Sequence, residues 1–233
     1  LSEFQSIWDQ RPIKDNAGGI SFQHAYSLYF LAKYFQFETI IESGIWKGQS
    51  TWLFEQACPD AKVICLDPGP KSFLVYVSPR AEYRVGPEFK DFAAGGWESL
   101  NKETTLLFLD DHYGTERLKQ AKAFGIKHCI FEDNFAYWGQ GEMCFHPNFM
   151  ETGVDEEFSP KACLRLGLRD VGFLHDSLEV YYEFPPIIHP LLGEPWYGDT
   201  LSKPPLLDWQ TAAGWDSSLA NTYHWCAYLK LFD

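Results

Sequence analysis

Four short stretches of this 233-residue chain carry side chains that could do chemistry. Thr39-Ile40-Ile41-Glu42-Ser43-Gly44-Ile45-Trp46-Lys47-Gly48-Gln49-Ser50 is an apolar run that ends in an acid and passes two glycines, four apart, into a helix-like segment. That pattern reads as a buried parallel strand, a tight turn and a helix N-terminus aimed at a ligand. Gly44 allows the sharp turn, and Gly48 allows the helix start to come close to what is bound. Glu-x-Gly-x-x-x-Gly differs from the Gly-x-Gly-x-x-Gly of pyrophosphate-binding sites, so a nucleotide-like cofactor is expected rather than a dinucleotide. Asp67, followed by Pro68, closes the next apolar run, where a carboxylate can accept both hydroxyls of a ribose.

Two further stretches, Leu106-Leu-Phe-Leu-Asp-Asp-His112 and Ile130-Phe-Glu-Asp-Asn-Phe135, put oxygen ligands after two more apolar runs. Asp110 or Asp111, together with Asp133 and the amide oxygen of Asn134, would form a hard site of three oxygens. It would leave positions for water or substrate, which suits Mg²⁺. His112 is the candidate general base, because an imidazole titrates near neutrality and neighbouring acids raise its basicity. Asp111 is the alternative base.

These residues need a frame that brings strand ends together. Helical spacing over 21–37, with Ser21 as N-cap, is followed by strand 39–42, helix 50–57, strand 61–67 and a weaker strand 83–86 leading into 89–94. Strand 106–110, helix 116–124 stopping at Gly125, and strand 126–132 complete the alternation. Strands alternating with helices imply a parallel sheet with right-handed crossovers. Glu42, Asp67, Asp110 and Asp133 then fall at the carboxyl edge, where open α/β sheets bind ligands. The fold expected is α/β: a Rossmann-like, doubly wound, mostly parallel sheet in one domain over 1–233. Its core covers about 20–135, an antiparallel strand within 222–231 closes it, and long aromatic-rich loops fill 135–215 on the acceptor side.

The motifs resemble those of class I S-adenosylmethionine-dependent methyltransferases. Residues 42–50, Asp110 and Asp133-Asn134 look like the metal-dependent catechol O-methyltransferase group, which reads Glu-x-Gly-x-x-x-Gly-x-Ser, Phe-Leu-Asp-His and Asp-Asn. They are also similar to the macrocin-type sugar O-methyltransferases, whose final motif is a paired acid. On this resemblance Glu42, Gly44, Trp46, Ser50 and Asp67 bind S-adenosylmethionine, with Gly48 shaping the approach. Asp110 or Asp111, Asp133 and Asn134 bind Mg²⁺, which would lower the pKa of an acceptor hydroxyl ahead of its attack on the sulfonium methyl. The catechol enzymes carry a lysine base three residues after the metal aspartate; here Tyr113 or Gly114 stands there.

Composition narrows the acceptor. The net charge is −13 and there is no basic stripe, so nucleic acid and anionic membranes are disfavoured as partners. No apolar run reaches membrane-spanning length and no signal-peptide pattern is present. The six cysteines are scattered without a Cys-x-x-Cys pair, and read as reduced, structurally buried thiols of a cytoplasmic protein. Leu1 in place of Met is what an excised domain, or a trimmed tag, leaves. Trp138, Tyr181, Tyr182, Trp196, Tyr197, Trp209 and Trp215, with Glu142, Asp155, Glu183 and Asp199, offer flat apolar faces and hydroxyl-binding acids. They favour a sugar or glycan acceptor, such as a terminal deoxysugar of the rhamnose kind, over a catechol. The alternatives are a metal-independent small-molecule O-methyltransferase, a nucleotide-sugar-using transferase, and a silent binding module. A non-haem iron oxygenase is disfavoured, since none of the seven histidines has an acid two residues on. The sequence leaves the oligomeric state open.

Overall fold

The structure, a computed structural model, describes residues 1–111, 113, 115–132, 173, 176–188, 204–207 and 226–232. The chain runs α1 (Ser2–Trp8), α2 (Phe22–Phe35), β1 (Thr39–Ser43), α3 (Gln49–Ala57), β2 (Lys62–Asp67), β3 (Glu82–Val85), β4 (Thr105–Leu109), α4 (Thr115–Ala123), β5 (His128–Phe131), β6 (Leu178–Glu183) and β7 (Ala227–Leu231). One seven-stranded sheet has the order β3-β2-β1-β4-β5-β7-β6. β1 to β5 pair in parallel, while β7 runs antiparallel to both β5 and β6. Strand order therefore reverses between β1 and β4, which opens a crevice at their carboxyl ends.

Period-two alternation in the apolar strands splits the core into two layers. Ile40, Val63, Leu106, Phe108 and Ile130 face α2 and α3. Ile41, Ile64, Leu66, Leu107, Leu109 and Phe131 face the other way, toward Leu118 and Ala121 of α4 and the Phe92–Trp97 pair. Burial on both faces is why these strands read as continuous apolar runs. Cys58, Cys65, Cys129 and Cys226 are buried and unbridged.

The expected doubly wound sheet and reversed C-terminal strand are both present. Two elements were not anticipated. α1 is a short helix whose Phe4 and Trp8, one turn apart, are buried against α2. β6 lies within the stretch read as loop. As an edge strand bonded only to β7, it exposes Glu179, Val180 and Tyr182 and so lacks the apolar alternation of an inner strand. Ser21 sits at the N-cap of α2, but its side chain makes no capping bond. Gly125, at φ +73°, ends the α4 turn as expected.

Candidate active site

The first turn is built by crowding. Gly44 sits at φ +91°, and a Cβ there would stand 2.4 Å from the main-chain oxygen of Asp110. Only glycine lets the chain leaving β1 pass the chain leaving β4. The Gly44 N–H donates to the Leu66 carbonyl at 2.9 Å, and the Asp110 N–H donates to the Ser43 carbonyl at 2.8 Å. The ends of β1, β2 and β4 are thereby tied together. Gly48, at φ +93°, makes a close approach of its own. A Cβ there would meet the Tyr76 carbonyl at 2.4 Å, so only glycine lets the 75–76 main chain pass over the turn. Val75 and Tyr76 N–H both donate to the Lys47 carbonyl at 3.0 Å, holding that segment over the turn.

Glu42 is fully buried beneath the start of α3. Ser50 Oγ donates to its Oε1, Thr51 Oγ1 to its Oε2 at 2.5 Å, and Cys65 Sγ to the same oxygen at 3.5 Å. Burial pushes the Glu42 carboxyl up to about 7; the two hydroxyls and the thiol pull it down, and Asp110 adds repulsion. Glu42 and Ser50, both expected at the cofactor, thus spend their side chains on each other and join β1 to α3.

Asp67 Oδ2 accepts from the Ile45 N–H at 2.9 Å, and Oδ1 from the Gly69 N–H at 2.6 Å. The carboxylate pins both the glycine turn and its own Asp-Pro turn. Beside it, the half-exposed Trp46 sits at φ +51°, with Nε1 donating to the Ala17 carbonyl at 3.1 Å. Lys47 Nζ donates to the Asp15 carbonyl at 3.0 Å. The 15–20 strap before α2 is therefore tied to the glycine turn. A cleft of about 30 Å³ between Trp46 and Asp67 is closed by Phe73, Leu74 and Val85.

At the end of β4 the two adjacent acids have different surroundings. Asp111 Oδ2 accepts from both Ser43 Oγ and Arg117 Nε, the latter at 2.8 Å. Arg117 is 3% exposed and also forks onto Asp91 with two bonds of 2.7 Å. That fork holds the Asp91 carboxyl below its usual range. The ring of Tyr113 stacks 4.4 Å from the Arg117 guanidinium. Asp110, part-exposed, stands at the crevice with its main chain against Gly44. His112, Asp133 and Asn134 lie outside the described residues, as do Trp138, Trp196, Tyr197, Trp209 and Trp215. Among the described residues no group of three His, Cys, Asp or Glu side chains could hold a metal ion.

Several site residues escaped sequence reasoning. Thr51 joins Ser50 on Glu42, a pairing set by helix geometry. Arg117 completes its ion pairs with Asp91, 26 residues away, at a separation no local pattern reports. His24 Nδ1 stands 2.7 Å from Glu132 Oε1, both buried, bringing the start of α2 to the end of β5. Glu183 registers through Ala227 with Phe131, so its place is in the row of strand ends. Tyr181, Tyr182 and Glu183 belong to β6 rather than to a loop.

No protein-family profile matches the chain, and no curated protein matches it. Solved structures do. The O-methyltransferase TomG from Streptomyces achromogenes, involved in tomaymycin synthesis and in complex with SAM, superposes with a TM-score of 0.56 at 13% identity, over 99% of this chain and 87% of that one. The SAH-bound methyltransferase PaMTH1 of Podospora anserina gives a TM-score of 0.54 at 12% identity, covering 100% of this chain and 89% of that one. An O-methyltransferase from Bacillus cereus, with SAH, gives a TM-score of 0.52 at 10% identity, over 100% and 90%. The fold is shared along almost the whole of each chain.

Proposed function

We propose that the chain is an S-adenosylmethionine-dependent O-methyltransferase, acting with Mg²⁺ on a hydroxyl of a small-molecule or glycan acceptor. One observation carries the reading. The Glu42–Ser50 turn lies at the crevice of a β3-β2-β1-β4-β5-β7-β6 sheet, in a fold shared end to end with O-methyltransferases solved with SAM or SAH. The residues fit such a cofactor. No side chain caps α3, so its first N–H groups face the turn as an anion site. Asp67 and the indole of Trp46 stand beside it for the ribose and the ring.

When bound, this cofactor supplies a methyl group on a sulfonium. The roles proposed for the protein are to bind it, to orient the acceptor hydroxyl and to take up that hydroxyl's proton. Glu42 and Ser50 serve the cofactor indirectly, by fixing the start of α3. Asp110, rather than Asp111, is the proposed metal ligand with Asp133 and Asn134, because Asp111 Oδ2 is already shared by Ser43 and Arg117. The same pairing makes His112 the better candidate base. A sugar acceptor is supported by the aromatic and acidic content of 135–215, where Glu183 stands in the row of strand ends and the Tyr181 hydroxyl donates to it at 3.2 Å.

Calorimetric titration of S-adenosylmethionine, with Mg²⁺ and then with EDTA, tests the reading. Binding in both buffers, with turnover only in Mg²⁺, is expected. Turnover unaffected by EDTA would select a metal-independent O-methyltransferase. Binding of a nucleoside diphosphate sugar in place of S-adenosylmethionine would replace the reading altogether.

A further inference from the structure

Gln49 is the first residue of α3 and is 2% exposed, yet neither its carboxamide oxygen nor its nitrogen has a hydrogen-bond partner. Native interiors rarely leave an amide unpaired on both sides, since each missing bond carries the full desolvation penalty. A partner of complementary chemistry is therefore missing. At the first helical position the Cα–Cβ bond tilts back toward the N-terminus, so the carboxamide projects over the Gly44–Gly48 turn. The neighbouring hydroxyls have no donor left for a ligand carboxylate, because Ser50 and Thr51 both donate to Glu42. A second unpartnered amide oxygen, Asn16 Oδ1, borders the same turn. It lies on the strap, on the same side of Gly19 as the Trp46 indole: a Cβ on Gly19 would meet both, at 3.0 and 2.9 Å.

One unused donor and two unused acceptors beside an uncapped helix start match an α-amino acid zwitterion, which brings a carboxylate and an ammonium. We infer that Gln49 reads the amino-acid end of the cofactor, its NH₂ donating to the carboxylate and its carbonyl accepting from the ammonium. This rests on the proposed function and deepens it: Gln49 takes the part expected of Ser50, which is committed to Glu42.

The test is calorimetric binding of two probes, S-adenosylhomocysteine and 5′-methylthioadenosine, which lacks the amino-acid end. In Gln49→Leu, affinity for S-adenosylhomocysteine is expected to fall by about 10- to 100-fold, the size of a lost pair of hydrogen bonds. Affinity for 5′-methylthioadenosine is expected to stay within about twofold. The Tm of the ligand-free variant should equal or exceed that of the wild type, because an unpaired buried amide has been removed. Equal losses for both probes, or none for S-adenosylhomocysteine, would overturn the assignment. Gln49→Glu gives a second line: its carboxylate opposes that of the ligand, so S-adenosylhomocysteine should be lost while 5′-methylthioadenosine is kept. Retained S-adenosylhomocysteine affinity in that variant also overturns it. Wild-type protein that binds neither probe sinks the cofactor reading itself, an outcome distinct from selective failure at Gln49.

Discussion

Two neighbouring aspartates follow β4, and the proposed function gives them different roles. Asp111 belongs to a network with Ser43, Arg117 and Asp91; Asp110 has its main chain against Gly44. Asp110→Asn is expected to abolish Mg²⁺-dependent methyl transfer while leaving S-adenosylmethionine binding measurable by calorimetry. Asp111→Asn leaves Arg117 short of one charged partner, a loss of about 1–3 kcal/mol seen as a lower urea midpoint. Glu42 makes a pH-dependent prediction. Its carboxyl is raised from its ordinary value to about 7 in the folded chain, so the native state holds a proton that the unfolded state releases. Its contribution to stability is therefore present below about pH 4.5 and is lost as pH rises through 7. Urea unfolding of Glu42→Gln should show its stability, relative to wild type, increasing from pH 5 to pH 8. A pH-independent difference would mean that Glu42 titrates normally.

At the scale of elements, the β1–α3 turn is held by glycine at two close approaches with different consequences. Gly44→Ala forces a Cβ into the Asp110 carbonyl at a positive φ, with an expected cost of about 2 kcal/mol or more and a displaced β4 end. Both stability by urea titration and cofactor affinity should fall. The cleft between Trp46 and Asp67 is lined by Phe73 and Leu74, at the end of the turn Lys71–Phe73. On the proposed function this cleft borders the bound nucleoside. Amide exchange over 69–76 should accordingly slow on adding S-adenosylhomocysteine, while the inner strands β1 and β4 change little. Exchange in 69–76 that ignores the ligand would place the nucleoside elsewhere.

For the whole molecule, the net charge of −13 makes self-repulsion a general term and nucleic acid a poor partner. Fluorescence anisotropy with a labelled duplex at low salt should show no binding; tight, salt-sensitive binding would contradict the charge argument. Among the described residues no helix is long and apolar enough to cross a membrane. The inner strands, the helices between them and the strand-end positions of Glu42, Asp67 and Asp110 were legible in the sequence, because strands buried on both faces appear as unbroken apolar runs and βα turns need their glycines. β6 was not, since an edge strand need not alternate. What the linear chain determined is the fold class, the β1–α3 turn and the set of acids at one edge. Tertiary structure alone decided which side chains face a ligand there. Glu42, Ser50 and Thr51 are neighbours through the packing of α3 on β1, and Arg117 reaches Asp91 and Asp111 only once α4 docks. Gln49, beside them at the start of α3, is left without a partner in the protein. Hydrogen-bond partners are chosen by proximity in space, and residues far apart in sequence become near only when the sheet has formed.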